Sequence, residues 1–253
     1  MTREKLNQLL YRRDELVDIY AALELYSKAE RVRNCMTNVQ YTDDTHEDDI
    51  KIKSAWFCGD RWCPICQWRK ANASSHEMHN INAEIIAETN DDYHYRMVTL
   101  TVPNVTKENL SATVQKMSMA WGRIIRRNLF KKSIKAWVKV LDITYNPETQ
   151  TYHPHYHVAT CHVSSYGKNP GYYITEDTWL QWWRDTMEDQ TINQVYDGKW
   201  DSPAHAVGYA MIPTNDDTTE IPLTLEVMST LVPALKGKPR LVKGGLYRKK
   251  ADK

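Results

Sequence analysis

A predicted β-hairpin between residues 138 and 160 constrains the fold of this chain more than any other segment. Residues 138–145 and 152–160 are rich in β-branched and aromatic side chains, which favour strands. Between them, residues 146–150 have the sequence Asn-Pro-Glu-Thr-Gln, which is typical of a turn. Because a connection this short joins neighbouring antiparallel strands, the segment predicts an antiparallel sheet.

Two histidines lie on the second predicted strand. Successive side chains of a strand point to opposite faces, so His155 and His157 share one face. Tyr156 and Val158 turn to the other face, which suits burial. Two neutral imidazoles side by side are the start of a divalent-metal site, and Asp142 on the first strand is the obvious carboxylate to complete it. The alternative is that the His-x-His pattern is only the polar face of a sheet.

Four of the five cysteines form a second candidate metal site. Cys58, Cys63 and Cys66 follow a Cys-x4-Cys-x2-Cys pattern, and Cys35 lies 23 positions before Cys58. Cytosolic thiols stay reduced, and four thiolates around zinc close a tetrahedron that has no open position for catalysis. The pattern therefore predicts structural Zn²⁺ ahead of a redox pair. Cys161, at the end of the second predicted strand, is expected to be buried.

The distribution of charge is more informative than the formal net charge of +1. Residues 109–141 contain eight lysines and arginines and no acid, and residues 236–253 contain eight more with one acid. Two basic tracts of this kind can follow a phosphate backbone, although a solvated helix face and a disordered tail are the alternatives. Within the first tract, the predicted DNA-binding residues are Arg123, Arg126, Arg127, Lys131 and Lys132.

Periodicity along the chain predicts a mixture of helices and strands, in which an N-terminal helical segment and the cysteine cluster precede the strands. The predicted helices cover residues 4–33, 67–89, 107–132 and 175–189, and further strands cover 95–102 and 191–200. The predicted domains are residues 1–90, 91–213 and 214–253, the last with a helix and a basic tail. Since no stretch of about 18 apolar residues and no signal-peptide core occurs, we expect a cytoplasmic chain without a membrane partner.

Residues 202–210 carry a candidate nucleophile. The segment begins as a helix should, with a Ser cap and Pro at the first position. His205 and Tyr209 are then one turn apart on the same face. A tyrosine hydroxyl beside a base and near a metal is a potential nucleophile toward a phosphodiester. The alternative is a tyrosine that packs in the core.

Several short motifs occur in a characteristic order. They are Met97-Val98-Thr99-Leu100-Thr101-Val102 before Pro103-Asn104-Val105, His155-Tyr156-His157, Val207-Gly208-Tyr209-Ala210, the cysteine run with Cys63-Pro64-x-Cys66-x-Trp68-Arg69, and Lys243-Gly244-Gly245-Leu246. Together they resemble the rolling-circle plasmid replication initiators of bacteria, members of the HUH endonuclease superfamily. The resemblance extends from about Lys28 to Leu246, and the cysteine run resembles one branch of these initiators.

This resemblance implies an α+β protein of the HUH endonuclease fold, with a central antiparallel sheet, flanking helices and an N-terminal helical, zinc-binding module. The metal histidines would lie on a central strand and the tyrosine on a later helix. It implies Mg²⁺ or Mn²⁺ held by His155, His157 and Asp142, where related sequences carry a Glu. Tyr209 would attack the scissile phosphate, leaving a 5′-phosphotyrosine and a free 3′-hydroxyl. The implied partners are origin DNA, single-stranded or extruded as a hairpin, and the host helicase and polymerase. Whether two copies pair is left open.

Two positions depart from the family pattern. A Glu that is thought to activate water for the terminating cleavage is replaced by His205, and a neutral imidazole can serve as the base near pH 7. A Lys that commonly precedes the tyrosine is replaced by Gly208, so Lys168 or Lys199 is expected to supply the missing charge.

The sequence is also compatible with other functions. Relaxases usually place the tyrosine before the histidine motif, and transposases of the superfamily are shorter and lack the cysteines. A non-catalytic zinc-ribbon DNA-binding regulator would use the cysteines and the basic tracts. That function would leave His155, His157 and Tyr209 without a role.

Overall fold

The computed structural model describes residues 1–42, 49–89, 93–211 and 222–251. In chain order its elements are α1 (Arg3–Ala22), α2 (Tyr26–Arg33), β1 (Thr37–Tyr41), β2 (Ile52–Trp56), α3 (Pro64–Thr89), β3 (His94–Thr101), α4 (Lys107–Ile124), α5 (Asn128–Ser133), β4 (Ile134–Asn146), β5 (Thr151–His162), α6 (Glu176–Met187), β6 (Val195–Lys199), α7 (Pro203–Met211), α8 (Leu225–Ala234), β7 (Leu241–Gly245) and α9 (Leu246–Ala251). Within these ranges, no helix is long and apolar enough to cross a membrane.

The chain divides into two compact units. One comprises Met1–Asn72 and Pro222–Pro233, and the other comprises Ala73–Ile221 and Ala234–Lys253. The predicted domain boundaries after residues 90 and 213 lie outside the described residues, so that division stays a prediction.

A five-stranded antiparallel sheet forms the centre of the second unit. Its strand order is β6-β3-β5-β4-β7, so β5 is the middle strand. The predicted hairpin is formed by β4 and β5, which pair along their length and place Asp142 directly opposite His155. The mixed α+β fold with a central antiparallel sheet and flanking helices is therefore confirmed.

Helices cover both faces of this sheet. We call the face with Asp142, His155 and His157 the histidine face. It is contacted by α7 and α9, and by α3 through a hydrogen bond from Tyr95 Oη to Asn82 Oδ1 of 3.1 Å. The opposite face carries α4, α5 and α6, which pack through aromatic side chains. For example, the rings of Trp121 on α4 and Trp137 on β4 lie 5.0 Å apart, edge to face.

The basic segment predicted as one helix over residues 107–132 is two helices. The helix α4 ends at Ile124, and α5 starts at Asn128. The break lets Phe130 turn inward, where it is buried and its ring lies 5.6 Å from that of Trp121. Burial of an aromatic side chain is worth more than the few helical hydrogen bonds lost at the break.

The unit of Met1–Asn72 and Pro222–Pro233, called the N-terminal unit below, contains a similar break. The helix predicted over residues 4–33 is divided into α1 and α2, with Glu24 between them at a φ of +59°. The antiparallel hairpin of β1 and β2 follows, and it was not predicted.

The strand β7 was also not predicted, and its two glycines explain how it pairs with β4. Gly244 lies opposite Trp137, and a Cβ at position 244 would stand 2.1 Å from the indole ring. Gly245 has a φ of +62°, and a Cβ there would stand 2.2 Å from the Lys135 carbonyl oxygen. Only glycine allows this close approach before α9 begins.

Candidate functional site

Asp142, His155 and His157 form a compact group of donor atoms on the histidine face. His155 Nε2 lies 3.1 Å from His157 Nε2 and 3.3 Å from Asp142 Oδ2. One donor atom from each of the three side chains lies within 4.8 Å of the others. The β4–β5 register produces this arrangement, because it pairs Asp142 with His155 on neighbouring strands.

Hydrogen bonds at the far side of each imidazole fix how the two rings point. His155 Nδ1 lies 3.2 Å from the carbonyl oxygen of His153, which can only accept, so Nδ1 carries the proton. His157 Nδ1 lies 3.2 Å from Thr99 Oγ1 on the neighbouring strand. Both Nε2 atoms are thereby turned toward Asp142 as potential metal ligands, as is usual for histidines held by such outer partners.

The electrostatics of the group favour an ionised carboxylate. Burial raises the pKa of Asp142, but its hydrogen bond with His155 and the positive charges of His155 and Arg240 lower it to about 2. Burial lowers the pKa of His155, yet the Asp142 carboxylate outweighs this and leaves it above its ordinary value. Burial and the charge of His155 lower the pKa of His157 to about 4, so one imidazole is neutral over the physiological range.

The spacing of the donors fits a divalent cation. Ligands about 2.1 Å from an octahedral ion are about 3.0 Å apart at adjacent positions, close to the 3.1 and 3.3 Å observed here. Two imidazoles and one carboxylate suit Mn²⁺ as ligands, and the carboxylate also suits Mg²⁺. Because an octahedral ion has six positions, three protein ligands leave positions open for water or substrate.

The helix α7 packs on the two strands that carry this group. It begins at Pro203, and the Ser202 hydroxyl accepts a hydrogen bond from the His205 amide at 3.2 Å, so the predicted cap is confirmed. His205 is exposed, with its Nδ1 3.9 Å from Asp201 Oδ2. Tyr209 lies in the last part of α7, and its side chain is outside the described part of the structure.

Gly208 lies where α7 approaches α3. Gly208 is buried, and a Cβ there would stand 3.4 Å from Ser75 Oγ on α3. The same hydroxyl donates a 2.9 Å hydrogen bond to the carbonyl oxygen of Ala204. A Cβ alone would make an ordinary van der Waals contact there, so only a larger side chain directed at Ser75 would meet α3.

The cations expected to replace that lysine are not beside the histidines. Lys199 lies opposite Arg96 in the β3–β6 register. This position puts the Lys199 side chain on the face of the sheet opposite His157. Lys168 lies in the loop after β5, whereas His155 and His157 lie near the middle of that strand. Besides the two histidines, the cation that acts on Asp142 is Arg240, whose carbonyl oxygen accepts a 2.7 Å hydrogen bond from the Leu141 amide. Sequence reasoning missed this residue because β7 was not predicted.

The four cysteines of the N-terminal unit converge as predicted. Cys35, Cys58, Cys63 and Cys66 are buried, with Sγ–Sγ distances of 3.5–3.6 Å along the contacts Cys35–Cys66, Cys58–Cys66 and Cys63–Cys35. Zn–S bonds of about 2.3 Å give tetrahedral edges of about 3.8 Å, so the group fits a zinc ion. Hydrogen bonding with Cys35 lowers the pKa of Cys66 and raises the pKa values of Cys58 and Cys63. Because the raised pKa values keep the Cys58 and Cys63 thiols protonated, a cation is needed for all four cysteines to ionise.

Backbone amides and a buried acid support the sulfur cluster. The Gly59 amide donates to Cys66 Sγ at 3.2 Å, and the Asp60 amide donates to Cys58 Sγ at 3.4 Å. The Asp60 carboxylate in turn accepts from Tyr20 Oη at 2.8 Å and pairs with Lys28 at 3.2 Å. Such outer contacts hold thiolates in place around a metal.

The predicted DNA-binding residues lie away from the Asp142 group. They belong to α4, α5 and the turn between them, on the face opposite the histidines. Arg123 pairs with Glu188 at 3.0 Å, and Arg127 pairs with Asp185 at 3.6 Å. Arg126, Lys131 and Lys132 are exposed, and the Lys132 ammonium lies 4.3 Å from the centre of the Tyr172 ring.

Comparisons with known proteins agree on one family. Residues 49–199 match the family described as Replication protein. A Protein rep of Staphylococcus aureus is 30% identical over 169 residues, which are 67% of this chain and 73% of that protein. Those of Streptococcus pneumoniae serotype 2 and Bacillus amyloliquefaciens are 29% and 33% identical over 72% and 64% of this chain.

The matched segment spans 57% of the Streptococcus protein and 46% of the Bacillus protein, about half the length of each. No solved structure gives a significant match. Since the family match covers more than half of the sequence, the chain belongs to the Replication protein family, the rolling-circle plasmid replication initiators that its motifs resemble.

Proposed function

We propose that this replication protein nicks one strand of plasmid origin DNA through Tyr209 and later rejoins the strand by transfer. The observation that carries the proposal is the group of Asp142, His155 and His157. Its two Nε2 atoms lie 3.1 Å apart, and the helix that contains Tyr209 packs on the same two strands. A family of replication initiators supplies the substrate class, because such proteins act on origin DNA.

In the nicking step, the Tyr209 oxygen attacks the scissile phosphorus and loses its proton. The bond from phosphorus to the 3′ oxygen breaks, and that oxygen takes up a proton to become a 3′-hydroxyl. The 5′ phosphate stays on Tyr209, and the 3′-hydroxyl primes synthesis by the host polymerase behind a recruited helicase. The DNA must be unpaired at this point, since a phosphate in a duplex cannot enter a site against the sheet.

The chain's own residues hold and orient the phosphate. Asp142, His155 and His157 would hold Mg²⁺ or Mn²⁺, which supplies polarisation of the phosphate oxygens when bound. Thr99 and the His153 carbonyl keep the imidazoles oriented. Arg240, whose charge already acts on Asp142, is the cation proposed to contact the phosphate in place of the lysine absent at position 208. His205, one turn before Tyr209, is the proposed base for the water of the terminating cleavage.

A covalent-capture assay tests the proposal. The protein is incubated with Mn²⁺ and single-stranded oligonucleotides tiled across the replicon that encodes it. Each oligonucleotide is labelled at its 3′ end in one reaction and at its 5′ end in another. On a denaturing gel, the 3′-labelled piece should migrate with the protein, and the 5′-labelled piece should be short and extendable by a polymerase. This polarity identifies a protein link through the 5′ phosphate, and the tyrosine variants identify the residue.

Two tyrosine variants make the assay specific. Tyr209→Phe should form no adduct, whereas Tyr11→Phe, which changes an exposed tyrosine of α1, should form it normally. DNA binding without an adduct on any oligonucleotide would refute the nicking function and favour the zinc-ribbon regulator. In a separate strand-transfer assay, His205→Ala should nick but fail to terminate, and normal termination would remove His205 from the mechanism.

A further inference from the structure

The histidine face carries an exposed aromatic side chain at its edge. A single row crosses the five strands at the level of His157, and its members are Leu241, Val140, His157, Thr99 and Tyr196. Tyr196 lies on the edge strand β6, and 54% of its surface is exposed. Among the described residues of this sheet, it is the one large apolar or aromatic side chain that is more than about a third exposed.

The backbone of β6 is adapted to the position of this ring. A Cβ on Gly198 would stand 2.4 Å from Tyr196 Oη and 2.8 Å from two ring carbons. The ring therefore lies along the strand, over the space that any other residue at position 198 would fill. A glycine here keeps one side of the ring against the sheet and leaves the rest of it open to solvent.

The surroundings of Tyr196 suit a nucleobase. Tyr196 and His157 are two strands apart, a distance of about 10 Å across the sheet. Thr99 and Thr101 are the uncharged side chains of β3 between them on this face. The neighbouring acid, Asp197, points to the opposite face and pairs with Arg96 at 2.6 Å, so it does not repel a phosphate chain here.

We propose that Tyr196 is a stacking platform for a base next to the scissile phosphate of single-stranded DNA. The proposal rests on the proposed nicking function, since it requires the phosphate to lie over Asp142, His155 and His157. Bases stack on exposed aromatic rings without regard to sequence, and each such contact contributes about 5- to 100-fold in affinity. Tyr196 is thus a positioning residue that sets where the strand lies, and it takes no part in bond breaking.

Fluorescence of 2-aminopurine tests this contact directly. The base analogue is placed in turn at each position around the nick, and binding is measured in the Tyr209→Phe background so that no DNA is cut. One position should be quenched on binding. In Tyr196→Ala the quenching should disappear and the affinity should fall about 5- to 100-fold, whereas Tyr196→Phe should retain both. Tyr173→Ala, which truncates another exposed tyrosine, is the matched control.

A second variant moves the ring without removing it. Gly198→Ala adds a Cβ where the ring now lies, so it should shift or abolish the quenched position with the phenol still present. Quenching and affinity that are unchanged in both Tyr196→Ala and Gly198→Ala would overturn the proposal. Failure of the nicking function has a different signature, because it shows as the absence of an adduct with the unmodified protein.

Discussion

A buried lysine on the sheet offers a quantitative test of the fold. Lys139 lies on β4, on the face opposite the histidines, and is 5% exposed. Its ammonium stands 3.8 Å from the centre of the Tyr156 ring. Burial lowers the pKa of Lys139 from 10.5 to about 8. Because the unfolded chain binds this proton more tightly, the charge costs the folded state about 3 kcal/mol at neutral pH.

Lys139→Met should therefore stabilise the protein. The contact with Tyr156 is lost with the charge, so we expect a net gain of about 1–3 kcal/mol at pH 7, or roughly 3–10 °C in Tm. The destabilisation by the charge of Lys139 is complete below pH 8 and disappears as the pH rises through 10.5. The extra stability of Lys139→Met over the parent protein should therefore shrink between pH 8 and pH 10.5. Differential scanning calorimetry at pH 7 and pH 10 measures both values.

Lys135→Met, at an exposed position of the same strand, is the control and should change Tm by less than about 1 °C. A lower Tm for Lys139→Met at pH 7 would refute the reasoning. It would mean that the ammonium and the Tyr156 ring attract each other more strongly than burial penalises the charge.

Three further changes test the two candidate metal sites and the last strand. Asp142→Asn should lower the yield of the Mn²⁺-dependent adduct at least about 100-fold while DNA binding, followed by fluorescence anisotropy, is unchanged. Cys63→Ser should abolish bound zinc, measured by mass spectrometry of the metal, and make the N-terminal unit sensitive to protease. Gly244→Ala should lower the free energy of unfolding by about 1–3 kcal/mol, measured by calorimetry, because its Cβ would meet Trp137. Gly122→Ala should not lower it, because the Cβ at position 122 would have free space.

The hairpin and the cysteine cluster were predictable because their signals are local. Alternation along β5 fixes which side chains share a face, and a short turn fixes which strand pairs with it. Those two facts were enough to place Asp142 near His155 and His157. The Cys-x2-Cys turn likewise brings two thiolates together at short range. The roles of these groups stay predictions, since they depend on ions and DNA.

The elements that were missed depend on contacts that are distant in sequence. The apolar pattern of α1 continues through Glu24, where no glycine or proline marks the break. The strand β7 contains two glycines and a lysine, which favour a loop when considered alone. Its pairing depends on Trp137, more than 100 positions earlier, which covers Gly244. Arg240 was missed for the same reason, because its proximity to Asp142 exists only once β7 is in the sheet.

The exposed basic residues and the Asp142 group lie on opposite faces of the central sheet. Arg126, Lys131 and Lys132 lie on the face opposite Asp142, so one short single strand cannot contact both without crossing an edge of the sheet. A duplex, which carries charge on both strands, needs no access to the histidine face in order to bind α4 and α5. If the proposed nicking function holds, this arrangement is compatible with duplex origin binding at the basic helices and strand cleavage on the histidine face. The edge strand β6, with Tyr196 exposed on that face, marks where the unpaired strand would approach the centre.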